Sequence, residues 1–303
     1  MQILSELEKI SNLSLALGFF DGVHKGHQAV IKQAVSFARE NNTQSAVITF
    51  SNHPCCYFYG ICPKYLLTRS GRQEKIAELG VDYLFELDFE SISGLTGEEY
   101  LKDILVKHFT PSAITTGWNH NFGCNKSGNV KLLEKQAQKF GYKYFKIPSQ
   151  KAGIQTISST AIRDCLFDGL IEDANKMLGY EFSIKGKVVE GQKLGRTIDF
   201  RTANLIYPKE LIDLPFGVYA AKVKVGDENY KGITNFGVRP TVSDSTSRSL
   251  ETHILNFDKD IYGEEIEVSF LKMIRQEKKF DSLAALKHQI QHDISTLSGP
   301  EFL

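Results

Sequence analysis

Residues 18–27 read "GFFDGVHKGH", and the way this stretch joins its neighbours decides the fold of the first half of the chain. An apolar run, "LSLALGFF" (13–20), leads into it, and "GHQAVIKQAVSFARENN" (26–42) leaves it with the spacing of an amphipathic helix. A buried strand, a glycine-bearing turn and a helix open a βα unit, which "SAVITF" (45–50) completes as the next strand. In an open α/β sheet, ligands bind beyond the carboxyl ends of the strands, so "DGVHKGH" falls at a binding edge.

The alternation continues outward. "GRQEKIAELG" (71–80), "TGEEYLKDILVKHF" (96–109) and "NVKLLEKQAQKFG" (129–141) carry helical patterns. "VDYLFELDF" (81–89), "SAITTGW" (112–118) and "YKYFKIP" (142–148) read as strands. Together they predict a Rossmann-like α/β domain, a parallel sheet covered on both faces. "SSTAIRDCLFDGLIEDANKMLGY" (158–180) predicts two short helices ending near Gly179. After Tyr180 the texture changes to strand-like runs broken by Gly and Asp. Hairpins are expected at Gly226-Asp227 and within "NFDKDIYGEEIEV" (256–268). "SLAALKHQIQHDISTL" (282–297) closes the chain as a helix with apolar residues Leu283, Leu286, Ile290 and Ile294. A small antiparallel β-barrel with the terminal helix packed outside is the expected second domain. The predicted domains are 1–180 and 181–303.

Composition bounds the function. Of 303 residues, 42% are hydrophobic and 24% charged, ordinary for a soluble protein. Lys plus Arg balances Asp plus Glu at 36 each, which lacks the broad basic footprint of a nucleic-acid binder. No stretch reads as a secretory signal or a membrane span, and a cytoplasmic location is expected. Cys55, Cys56, Cys62, Cys124 and Cys165 match no zinc spacing. "HPCCYFYGIC" (53–62) tempts a metal reading, but free thiols in a reducing compartment are the expectation.

Chemistry concentrates at two helix starts. Gly22 and Gly26 let a backbone approach a ligand closely, and a helix expected to begin near His27 offers unpaired N–H groups and a favourable dipole to an anion. His24 and His27, three apart, can both face one phosphate chain. A glycine-rich turn with two incidental histidines is the other reading. "ISSTAIRD" (157–164) supplies hydroxyls and free N–H groups at a second helix start, with Arg163 one turn on. An ordinary N-cap followed by a solvated arginine is the alternative there. Two anion sites in one domain suit a triphosphate.

"GFFDGVHKGH", "TFSNHP" (49–54), "TTGWNHNFG" (115–123) and "ISSTAIRD" occur in the order found in bacterial bifunctional riboflavin kinase/FAD synthetases, whose nucleotidyltransferase module the first half resembles. "GRTIDFRTANL" (195–205), "GVYAA" (217–221), "GITNFGVRPT" (232–241), "LETHILNFDKDIYG" (250–263) and "RQEKKFDSLAALKHQI" (275–290) resemble its riboflavin kinase module. The resemblance implies two reactions: riboflavin and ATP give FMN and ADP, then FMN and ATP give FAD and pyrophosphate. It places Gly18, Phe19, Asp21, Gly22, His24, Gly26 and His27 on the ATP phosphates, the two histidines serving catalysis. Ser158, Ser159, Thr160 and Arg163 would hold the leaving pyrophosphate. Asn119 matches a position near the flavin phosphate and metal, and Phe122 and Gly123 match the same motif, in which His120 replaces the usual aromatic residue.

In the kinase module, the resemblance implies Glu251 as general base, Thr202 and Asn204 as Mg²⁺ ligands, and Arg275 at the flavin. Gly186, Lys187, Gly191 and Lys193 align with the phosphate approach. The family's G-F-P-T-A-N motif reads "DFRTAN" (199–204) here, with Asp199 for glycine and Arg201 for proline. These departures predict a kinase weaker than the adenylyltransferase. The alternative is a monofunctional FAD synthetase with a degenerate kinase module.

Overall fold

The computed structural model describes residues 1–191, 200–239 and 247–298. It divides into two compact units, Met1–Ser159 and Thr160–Leu303. Lys193 and Asp199 lie outside the described residues.

The first unit is built on six parallel strands: β1 (Gln2–Leu4), β2 (Leu13–Leu17), β3 (Gln44–Phe50), β4 (Tyr83–Leu87), β5 (Ala113–Gly117) and β6 (Lys143–Ile147). Their order is β1-β4-β3-β2-β5-β6, which puts the predicted first strand near the centre. All five residues of β2 are buried, as a central strand covered on both faces requires. α1 (Lys25–Glu40) presents Val30, Ile31, Ala34, Val35 and Ala38 to the core, the three- and four-residue spacing read from sequence. Burial of each large side chain contributes about 1.5–3 kcal/mol before entropy is set against it. β1 pairs with β4 at the sheet edge and was not expected, because three residues carry no pattern. The helix expected over 96–109 forms with a π-helical interior, Tyr100–Val106, after a capping box between Thr96 and Glu99.

The cysteine cluster departs from the free-thiol expectation. Cys56 lies on α2 (Pro54–Tyr59), and Gly60 in left-handed conformation (φ +65°) ends that helix and turns the chain back. Cys62 thereby reaches Cys56, their Cα atoms 4.4 Å apart, and the two form a disulfide. Cys55, Cys124 and Cys165 are free. His53 caps α2, its Nδ1 accepting the Cys55 N–H at 3.1 Å.

α5 (Ser159–Phe167) begins at the last residue of the first unit and is followed in the second by α6 (Ile171–Leu178); α3 (Arg69–Ala77) and α4 (Val130–Phe140) complete the longer helices of the first. Six antiparallel strands follow: β7 (Ser183–Lys187), β8 (Ala203–Ile206), β9 (Gly217–Val225), β10 (Glu228–Arg239), β11 (Ser247–Ile254) and β12 (Glu265–Gln276). Their order is β7-β12-β9-β10-β11-β8. Just beyond β7, the Val189 N–H donates to the Asn204 carbonyl of β8 at 2.8 Å, closing the sheet into a small barrel. The hairpin at Gly226-Asp227 forms between β9 and β10.

The second expected hairpin does not form. β11 pairs with β10 and β8, whereas β12 pairs with β7 and β9. The connection between them folds onto Val188 instead, with Gly263 N–H donating to Val188 O and Val188 N–H to Glu264 O, both at 2.9 Å. The terminal helix α7 (Leu283–Ser295) sits over one barrel face, where Ile294 and Leu297 pack with Val218, Ala220 and Ile233. Leu283, Leu286 and Ile290 line a cavity rather than filling the core.

Asn175 ties α6 to the barrel. Its Nδ2 donates to the Phe270 carbonyl at 2.9 Å, and its Oδ1 accepts the Phe182 N–H at 2.8 Å. Asn175→Ala leaves both backbone groups without this partner and should destabilise the second unit by about 2–4 kcal/mol. The check is a lower urea midpoint for that unit at unchanged slope.

Candidate active sites

β2 ends at Leu17, earlier than the apolar run predicts, because the chain then turns through three left-handed residues. Phe20 has φ +59°, Gly22 +79° and Val23 +34°. Such conformations cost roughly 1–3 kcal/mol each for non-glycine residues, so the surroundings must hold them. The holding groups come from all over the unit. Thr49 Oγ1 donates to Phe19 O at 2.9 Å, the Asp21 carboxylate accepts the Leu66 N–H at 3.0 Å, and Gln28 Nε2 donates to Val23 O at 2.9 Å. Ser159 Oγ, still within the first unit, donates to Asp21 O at 2.9 Å and so ties that residue of the second predicted anion motif to the turn. Arg72 adds Nη1 to Phe19 O at 3.2 Å and Nη2 to Phe50 O at 2.8 Å.

α1 begins at Lys25, two residues before the expected start, and His24 is its N-cap. The His24 Nδ1 accepts the His27 N–H at 3.2 Å, so one of the helix-start donors expected to meet an anion is already used. His24 is buried, and its ring stacks on His27 with centroids 3.6 Å apart. A Cβ on Gly26 would come within 3.1 Å of the His24 ring, so glycine permits this fold-back. The His27 Nδ1 is buried without a hydrogen-bond partner. Burial, then repulsion from His24, holds its imidazole well below the usual range and keeps it neutral near pH 7. Because its Nδ1 accepts the His27 N–H, the His24 ring carries a proton on Nε2.

The remaining predicted residues of the first site spread over two loops. Gly18 is half-buried against the Phe20 ring, and Phe19 packs edge-on to His53 at 4.7 Å. Asn119 is exposed, while Phe122 is half-buried beside Tyr100. His120 stacks on Phe122, and burial lowers its pKa to about 4. Gly123 brings this loop against Gly97, where a Cβ would lie 2.4 Å from the Gly97 nitrogen. Ser158 is half-buried; Thr160 is exposed and Arg163 half-buried on α5, in the second unit.

In the barrel, two cavities meet at Thr202. The larger, about 320 Å³, is lined by Thr202, Asn235, Glu251, His253 and Arg275 together with residues of α7. The smaller, about 130 Å³, is lined by Gly191, Arg201, Thr202, Asn204 and the 257–262 connection. Glu251 stands opposite Asn204 on one neighbouring strand and Asn235 on the other. Asn204 Nδ2 donates to Thr202 O at 3.4 Å, and a Cβ on Gly191 would come within 2.4 Å of that nitrogen. Arg275 pairs with buried Asp293 of α7, Nε and Nη2 both donating to Oδ2 at 2.9 Å and Nε also lying 3.1 Å from Oδ1. Gly186 and Lys187 lie on β7 and line neither of these cavities.

Several residues at these sites escaped the sequence reading. Arg72 and Glu86 are buried behind the first turn, yet in sequence they look like single charges in helical and strand runs. His253 carried a signal, since it lies two residues after Glu251 and so on the same strand face. Its Nδ1 bonds the Arg201 carbonyl at 2.8 Å.

The FAD synthetase family profile matches residues 7–161 and the riboflavin kinase profile residues 178–298. A bifunctional riboflavin kinase/FMN adenylyltransferase from Listeria monocytogenes is 37% identical over 93% of this chain and 90% of its own. One of the same name from Escherichia coli K12 is 36% identical over 95% and 92%. A crystal structure of a protein called a macrolide-efflux protein from Streptococcus pneumoniae superposes with TM-score 0.89 at 30% identity, covering 98% of both chains. None of the described helices is long and apolar enough to cross a membrane. Matched in both halves and along almost its whole length, the chain belongs to the bifunctional riboflavin kinase/FMN adenylyltransferase family.

Proposed function

We propose that the chain makes FMN from riboflavin in a kinase domain, 181–303, and FAD from FMN in an adenylyltransferase domain, 1–180. The observation that carries the first-domain chemistry is the stacked His24–His27 pair at the carboxyl end of β2, with its buried, unpartnered Nδ1. An FMN phosphate oxygen attacks the α-phosphorus of ATP, and the bond to pyrophosphate breaks. The attacking phosphate is already anionic, so the protein supplies no nucleophile; it positions groups and stabilises charge. His24 and His27 donate to the α-phosphate as negative charge builds, with Gly18, Phe19, Asp21, Gly22 and Gly26 shaping the phosphate cradle. Ser158, Ser159, Thr160 and Arg163 hold the leaving pyrophosphate, and Asn119 and Phe122 the flavin end. A cytoplasmic location fits these substrates.

In the barrel, Glu251 removes the proton from the ribityl hydroxyl of riboflavin, whose oxygen attacks the γ-phosphorus as ADP leaves. The larger cavity suits the flavin, with Arg275 at its edge, and the smaller the nucleotide. Thr202 and Asn204 offer two neutral oxygen donors beside the smaller cavity. Among the described residues there is no group of three or more His, Cys, Asp or Glu that could hold a metal ion. That donor set fits Mg²⁺, which prefers oxygen, keeps several waters and is bound largely through substrate phosphates. When bound it would neutralise phosphate charge. Matches to both family profiles favour two active modules over a degenerate kinase.

Product separation by chromatography tests the scheme: riboflavin with MgATP should yield FMN and then FAD, and a folded protein forming neither would overturn it. His27→Ala should slow FAD formation by about 10²-fold or more while leaving riboflavin phosphorylation intact, the loss expected for one preorganised donor. Glu251→Gln should do the reverse, since it keeps size and removes the base. Asp199→Gly with Arg201→Pro should raise riboflavin phosphorylation several-fold at limiting ATP, because proline keeps the carbonyl that His253 bonds and stiffens the approach to Thr202.

A further inference from the structure

The ends of β2 and β3 pose a problem of hydrogen-bond accounting. In this parallel pair the Gly18 N–H donates to Ile48 O at 3.2 Å. One rung further, two residues on in each strand, Phe50 O would accept from the Phe20 N–H. Phe20 instead turns away at φ +59°, and Phe50 O accepts from Arg72 Nη2 at 2.8 Å. The same guanidinium donates through Nη1 to Phe19 O, the carbonyl that also takes the Thr49 hydroxyl. Arg72 is 4% exposed, and its charge is met by Glu86, 2% exposed, at 2.9 Å. Arg69 and Gln73 hold the other Glu86 oxygen, each at 2.8 Å.

We propose that Arg72, backed by Glu86, is a positioning residue for adenylyl transfer. Its guanidinium replaces the last rung of the β2–β3 ladder, fixes the point at which the chain leaves the sheet, and so sets where His24 and His27 stand. The inference rests on the adenylyl-transfer reading above.

Three features set this pair apart from a device for stability. A buried ion pair is often no more stabilising than well-packed apolar residues of the same volume. The Arg72 Nε is buried without a partner, a cost that an apolar side chain would avoid. Finally, the planar fork meets a carbonyl of the turn, a carbonyl at the end of β3 and a carboxylate at once, which the single ammonium of lysine does not reproduce. What the arrangement achieves is a fixed exit for the turn. Misplacement of catalytic groups by about 1 Å can cost on the order of 10²-fold in rate.

The test uses the full-length protein and follows both reactions in each preparation. In the double variant Arg72→Met with Glu86→Leu, the thermal midpoint and riboflavin phosphorylation should stay near those of the parent. The kcat for FAD formation should fall about tenfold or more, with KM for MgATP changing less than about threefold. Arg72→Lys, which keeps the charge but not the fork, should fall between parent and double variant. A folded double variant with unchanged kcat for FAD overturns the proposal, as does loss of both activities in step with the thermal midpoint. Should the double variant not fold, Arg72→Lys decides, and parental kcat there overturns it. A parent that phosphorylates riboflavin but makes no FAD overturns the adenylyl-transfer reading itself, an outcome seen before any variant is made.

Discussion

The turn from Phe19 to His24 cannot hold itself. Its backbone occupies left-handed conformations that a phenylalanine and a valine resist, and it makes no ladder of its own. It persists because carbonyls and a carboxylate along it are each bonded from elsewhere: Thr49 on β3, Leu66 and Arg72 beyond it, Gln28 on α1 and Ser159 at the end of the unit. Each bond contributes about 0.5–1.5 kcal/mol net, so several are needed to outweigh the strain. The parallel sheet is therefore more than a platform for the histidines. It is the frame that collects the distant donors around one turn.

The barrel solves a different problem. Glu251, the proposed base, and Asn204, a proposed metal ligand, lie opposite each other on neighbouring strands, so their separation is set by strand spacing and needs no special loop. Four residue pairs between β8 and β11 set that register. Among the described residues, a backbone bridge from Val189 to Asn204 gives β8 a neighbour on its other side, and the connection after β11 folds onto Val188 beside it. At the other end, Arg275 and Asp293 fasten the terminal helix over the larger cavity. Apolar residues that would ordinarily seek a core, Leu283, Leu286 and Ile290, are thereby held facing open space.

Much of this was legible in the sequence. Periodicity located β2, α1 and the change of texture after Tyr180 because those features depend on local patterns of burial. What escaped depended on partners remote in the chain. The start of α1 shifted because a histidine ring, rather than a serine or aspartate, caps it. The 256–268 segment has the composition of a turn, but its pairing is decided by Val188, some seventy residues earlier. Arg72 and Glu86 look like solvent-facing charges until the fold buries them together. Nor does the spacing of Cys56 and Cys62 announce a bond; the reversal at Gly60 does that. Among the proposed site residues, His24 and His27 could be picked out by residue type and spacing and Glu251 only through the family resemblance, whereas the groups that hold them in place could not.

Thr202 lines both barrel cavities, so one residue borders the two. An occupant of either cavity that moves this threonine alters the surface met by the other. Thermodynamic reciprocity then applies: the factor by which an occupant of one cavity changes the affinity of the other for its own occupant is the same in both directions. Any coupling transmitted through that residue leaves the order of arrival to kinetics and the total binding free energy independent of it.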